Sequence, residues 1–190
     1  GGIKMFKFSF NMVKQLCGID ITSQELLNIL ALQGFEVDEV TEKNGDIVVN
    51  IEVKANRPDM LSHLGVAREI CAFKGIKAPQ TPKIETQTIE SSFPVKVDVD
   101  ESTCSRFCLL EISHIDNNAP TPKEITSFLE NLGINCINAV VDITNYVMLK
   151  YGQPMHAYDK DRISGNILTV KKSESEKSIL TLGEIEAKIQ

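Results

Sequence analysis

Apolar residues change their period several times along this chain. From Phe6 the spacing is two, through Phe8 and Phe10, and it dissolves by Val13, so a strand and the lead-in to a helix are both open there. The next stretch is plainer. Thr22 stands three residues before Glu25, the spacing of a capping box, and Leu26, Leu27, Leu30 and Leu32 follow on a helical face that Gly34 stops. The period then returns to two. "FEVDEVTEK" and "DIVVNIEV" flank Asn44-Gly45, both of which tolerate positive φ, and this predicts a hairpin with Val37, Val40, Val48, Ile51 and Val53 turned inward. Pro58 fits the first turn of a following helix, capped by Asn56 or Asp59. Its apolar face is Leu61, Leu64, Val66, Ala67, Ile70 and Cys71, and Gly75 ends it. His63 reads there as a packing or surface histidine, and Arg57 and Arg68 as ion-pair partners for Asp59 or Glu69.

Residues 78–94 are rich in Pro, Thr, Gln and Ser and read as a linker. Beyond it "VKVDVD" alternates as a strand, and the nearly continuous apolar run "SRFCLLEISHI" predicts a second, buried one. A turn at Asn117–Pro120 leads into an amphipathic helix with Ile125, Phe128, Leu129 and Leu132 inward and Gly133 as its stop. "NILTVKK" reads as a short strand. Between them, "NAVVDITNYVMLKYGQPMHAYD" shows no clear period, and three readings stay open: a catalytic pocket, a recognition surface, or a strand-loop-strand. The class that emerges is α+β. A small N-terminal helix-hairpin-helix domain, 3–77, is followed by the linker and a mixed α+β domain over 95–190.

Composition narrows the partners. The formal net charge of −6 does not suit a sequence-independent nucleic-acid binder, although local contact with RNA is compatible with it. The five cysteines include no CxxC pair, and no His completes a zinc pattern with Cys104 and Cys108. They read as reduced thiols of a cytoplasmic protein. No stretch has the apolar length to span a bilayer.

"NRPDMLSHLGVAREI" (Asn56–Ile70) and "INAVVDITNYVMLKYGQPMHAYD" (Ile137–Asp159) resemble, in that order and a domain apart, two stretches of the β subunit of bacterial-type phenylalanyl-tRNA synthetase. "SRFCLLEI" and "NILTVKK…LTLGEIEA" are similar to the same family, so the resemblance covers most of the chain from about Phe10 onward. It implies an N-terminal fragment: the first β-subunit domain, then the front half of an editing domain, 95–190. It implies a heterotetramer with two α and two β subunits, contact with the 3′ end of tRNA(Phe), and no membrane partner. ATP and Mg belong to the whole enzyme, and the resemblance implies no cofactor or metal held by this segment.

The family also hydrolyses tyrosine wrongly attached to tRNA(Phe), and there is a physical need for that. A pocket shaped for phenylalanine rejects an isostere that adds one hydroxyl by only ~10². The family's editing-pocket positions fall on Thr144, Asn145 and His156, with no residue assigned as catalytic. A hydroxyl and an amide can fix a water or a ribose, and an imidazole can orient a water. From the residues alone, Asn145 and His156 can equally satisfy backbone groups around Gly152-Gln153-Pro154. The chain also departs from the family. An inserted oligonucleotide-binding domain is missing at the Asn44-Gly45 turn, Ala139 stands near a position where some members place an arginine, and the acid that reads the tyrosine hydroxyl would lie past Gln190. The expectation is therefore a subunit fragment inactive by itself. The alternative is a free-standing, non-catalytic RNA- or protein-binding module of the same fold.

Overall fold

The Phe6–Phe10 alternation holds a strand and a helix back to back. In the computed structural model, β1 (Lys4–Ser9) runs directly into α1 (Phe10–Cys17). Ser9 makes the switch. Its Oγ accepts from the Met12 N–H at 3.0 Å, as an N-cap does, and donates to Asp46 at 2.5 Å. The other Asp46 oxygen accepts from the Asn11 N–H at 3.1 Å, so one buried carboxylate fixes both sides of the junction. Residues 4–81, 96–102, 104–116, 118–173, 177–180 and 186–189 are described; most of the 78–94 linker and Asn117 of the expected turn lie outside them.

Thr22 caps α2 (Ser23–Leu32) by accepting from the Glu25 N–H at 3.2 Å, while the Glu25 carboxylate pairs with Lys74. The hairpin forms where Asn44-Gly45 predicts it, with φ of 51° and 75° at the two turn residues. It joins β2 (Val37–Lys43) to β3 (Asp46–Val53), and the antiparallel sheet runs β1-β3-β2. Val49, Ile51 and Val53 enter the main core with Phe6, Phe8, Leu26, Leu30 and Ile70. Two inward assignments fail. Val40 lies on the outer strand, past an irregularity between Val37 and Glu39, and is 45% exposed; Leu32, at the last turn of α2, is 74% exposed.

Pro58 opens a 3₁₀ turn, Pro58–Met60, rather than the helix itself. The helix α3 (His63–Phe73) starts later and is capped by Ser62, not by Asn56 or Asp59. Ser62 Oγ accepts from the Gly65 N–H at 3.0 Å and donates to the Asp59 carbonyl at 3.1 Å, tying the 3₁₀ turn to the helix. Arg57 pairs with Asp59 and Glu69 as read from sequence, at 2.9 and 2.6 Å, and its guanidinium lies over the Phe35 ring.

The division of the chain differs from a cut at the linker. One compact unit comprises Gly1–Ile84 with Asp116–Ala157, the other Glu85–Ile115 with Tyr158–Gln190. The reason is apolar packing. On α4 (Lys123–Asn131) and just after it, Phe128, Leu129 and Leu132 are buried with Met12 and Val48, on the face of β3 opposite the main core. Such burial stabilises by roughly 2 kcal/mol per side chain, enough to hold α4 on the first sheet. The stretch without a clear period is a helix, α5 (Ala139–Tyr151), and not a strand-loop-strand. Leu149 of α5 touches both apolar clusters.

In the second unit β4 (Lys96–Val99) pairs in parallel with β5 (Ile167–Val170), and β6 (Lys177–Leu180) pairs antiparallel with β7 (Glu186–Ile189). The buried strand expected over "SRFCLLEISHI" is absent. That run is irregular, with Leu110 82% and Ile112 66% exposed. A short apolar run without a second periodic signal does not fix its own partner. Among the described residues no helix is long and apolar enough to cross a membrane.

Candidate functional site

Helix α5 carries two of the three candidate residues. It begins at Asn138, whose side chain accepts from the Val141 N–H at 3.0 Å. The alternation of Val, Ile, Thr and Tyr hid it, because β-branched and aromatic residues favour strands. A capped start and the left-handed Gly152 (φ 80°) at its end are the signals that could have found it.

Asp142 in its first turn is 1% exposed. One carboxylate oxygen accepts from the Ile137 N–H at 2.9 Å and the other from the Thr121 hydroxyl at 2.6 Å. The carboxylate thereby anchors the amino end of α5 to the chain on either side of α4. Sequence reasoning did not single it out. Asp142→Ala leaves two donors without their acceptor, and we expect a loss of about 2–3 kcal/mol in urea unfolding. Asp142→Asn, which keeps an acceptor oxygen, should cost less.

The carboxyl end of α5 is anchored by α3. The His63 ring is 0% exposed and packs against Phe6, Phe8 and Phe128, with centroids 5.6, 6.3 and 5.0 Å away. Its Nε2 accepts from the Ser9 backbone N–H at 2.9 Å. Its Nδ1 lies 2.8 Å from the Leu149 carbonyl oxygen and must carry the proton, since a carbonyl can only accept. The ring is therefore neutral in one defined tautomer. Burial lowers its pKa from 6.5 to about 4; the Leu149 carbonyl and Asp46 oppose that shift and Lys150 adds to it. Beside it, a Cβ on Gly152 would stand 3.1 Å from Ser62 Cβ, so α5 ends directly against the cap of α3.

Between these anchors lie Thr144 and Asn145, both half-buried. Thr144 Oγ1 donates to the Val141 carbonyl at 2.7 Å, which leaves its oxygen free only to accept. Asn145 shares a helix face with Leu149 and Gly152, and Thr144 is turned from it by about 100°, as neighbours on a helix are. His156 is exposed in the irregular stretch after Gly152. The helix thus sets two of the candidates on different faces. Tyr146 packs edge-on to Phe128, and Lys150 lies over the Tyr146 and Tyr151 rings, at 5.2 and 5.5 Å. Among the described residues no group of three or more His, Cys, Asp or Glu could hold a metal ion.

Residues 7–76 match the family described as Phe-tRNA synthetase beta subunit B1 domain, and residues 103–190 match the B3/4 domain family. The phenylalanine–tRNA ligase beta subunit of Fusobacterium nucleatum is 41% identical over 152 residues, 78% of this chain and 18% of that one. That of Hahella chejuensis is 38% identical over 144 residues, 75% of this chain and 18% of that one. That of Aliivibrio fischeri is 35% identical over 176 residues, 90% of this chain and 22% of that one. The chain therefore spans about a fifth of the length of these relatives. A solved N-terminal fragment of the phenylalanyl-tRNA synthetase beta subunit from Pyrococcus horikoshii shows a partial likeness, with a TM-score of 0.45 at 21% identity, over 97% of this chain and 50% of that one.

Proposed function

The chain belongs to the phenylalanine–tRNA ligase β-subunit family, and from that premise we propose that it serves a synthetase of phenylalanine and tRNA(Phe) in two ways. Its first module supports assembly with an α subunit, in a tetramer of two of each, in the cytoplasm. Its B3/4 portion contributes to hydrolysis of Tyr-tRNA(Phe). In this reading ATP and Mg are used by the partner α subunit, and the chain supplies no ligand to either. The observation that carries the reading is that the B3/4 match spans all three candidates, Thr144, Asn145 and His156.

The chemistry is simple in outline. Water attacks the ester carbonyl between tyrosine and the terminal ribose of the tRNA, and the ribose hydroxyl leaves. Asn145 can both donate to and accept from a ribose hydroxyl or the attacking water. Thr144, its proton committed to Val141, takes a hydrogen bond from one of them. His156 orients the water or the tRNA end. None of the three is assigned to the tyrosine hydroxyl, and we propose that the isolated chain is inactive alone.

The test is deacylation of Tyr-tRNA(Phe) by this chain, beside a subunit of its relatives' full length assembled with α. The expected result is hydrolysis by the assembled enzyme and background by the chain. Hydrolysis by the chain would mean that the site is complete within it. Hydrolysis by neither would turn the B3/4 portion into a binding module.

A further inference from the structure

We infer that His63 and Ser62 are positioning residues for the hydrolytic site: from the first module they fix the carboxyl end of the helix that carries Thr144 and Asn145 and leads to His156. The inference rests on the editing reading above and deepens it.

The last four carbonyls of a helix have no partner within it. In α5 the Met148 carbonyl is met by the Gly152 N–H at 2.8 Å. The Leu149 carbonyl is met by His63 Nδ1–H, a side chain 86 positions earlier. The ring cannot drift, because three aromatic rings surround it and Ser9 holds its other nitrogen. Ser62, one residue before it, closes on Gly152. Asp142 fixes the other end of α5 from its own side of the chain. Thr144 and Asn145 lie between a local anchor and a distant one, and the distant one sets how the stretch from Gly152 to His156 leaves the helix. Displacing catalytic groups by about 1 Å can lower a rate by ~10².

A ring with two different jobs can be dissected. His63→Asn places an amide where Nδ1 sits and keeps a donor toward Leu149. His63→Gln places it where Nε2 sits and keeps an acceptor for Ser9. Each variant is made in the full-length β subunit assembled with α, and three quantities are read: melting temperature, aminoacylation with phenylalanine, and deacylation of Tyr-tRNA(Phe). Both variants should melt lower. His63→Gln should lower the deacylation kcat by about ten- to a hundredfold with KM and aminoacylation unchanged, whereas His63→Asn should stay within about threefold of the parent. Equal losses in the two variants that track melting temperature, or no loss in either, would overturn the inference and leave His63 a purely structural residue. If neither variant assembles, Gly152→Ala decides, since its Cβ pushes on Ser62 without touching the ring. It should lower deacylation and spare aminoacylation, and an unchanged deacylation rate would overturn the inference. The parent enzyme is measured first. If it does not deacylate Tyr-tRNA(Phe), the editing reading itself has failed and this inference with it.

Discussion

Gly65→Ala should destabilise the first unit by about 1–3 kcal/mol. A Cβ at this position would stand 1.8 Å from the Asp59 carbonyl oxygen and 2.6 Å from its carbon. The obstruction is backbone, held in the 3₁₀ turn by the Met60 N–H to Arg57 and Leu61 N–H to Pro58 bonds, both 3.1 Å. The turn can retreat only by giving up the Ser62 bonds to Gly65 and Asp59. Loss of that cap costs about 1 kcal/mol by itself, and the overpacking adds about 1–3. Against this, alanine gains about 1 kcal/mol in helix propensity, which is too little to reverse the sign. Urea unfolding checks the prediction. A neutral or stabilising Gly65→Ala would mean that α3 does not start against the 3₁₀ turn.

Stability should also fall as pH drops from about 6.5 to about 4, by about 3 kcal/mol from His63 alone. The sign follows from which state binds the proton. The unfolded histidine takes it up near 6.5, the folded one only near 4. Between those values the unfolded state holds more protons, so acid favours unfolding. The contribution is fully present above 6.5 and gone below about 4. Asp59, held below the usual carboxylate range by Arg57, loses its contribution in the same direction, from about pH 5 downward, so the window from 6.5 to about 5 isolates the histidine. In urea titrations across that window His63→Asn should flatten the slope. An equal slope in parent and variant would assign the acid sensitivity to other groups.

Much of the first unit was legible because local chemistry and tertiary structure agree there. The Thr22 cap, the Asn44-Gly45 turn and the Phe128–Leu132 face each carry their signal within a few residues. What could not be read depends on contacts that the local pattern does not specify. Nothing near His63 says that Leu149 will need a donor, and nothing near Gly65 says that the Asp59 carbonyl will lie on it. Helix α5 was obscured by residues of strand preference, a preference that the packing of Tyr146 on Phe128 and of Leu149 on both apolar clusters overrides. The run to Leu110 and Ile112 failed in the opposite way, since its apolar content invites a burial the second unit does not give it. For the candidate site, the motif resemblance named Thr144, Asn145 and His156, whereas the residues that hold their helix, Asp142, His63 and Ser62, emerge only from the structure.

The two stretches that carry the family resemblance meet at one joint, a neutral His63 bonded at both nitrogens. Nitrogen-15 NMR of the His63 ring, followed from pH 7.5 to pH 4, tests that joint directly. The expected spectrum has a protonated Nδ1 and a bare Nε2 at neutral pH, and the ring reaches half charge only near pH 4. A ring protonated at Nε2, or one that titrates near 6.5 in the folded protein, would contradict the joint and the positioning role built on it.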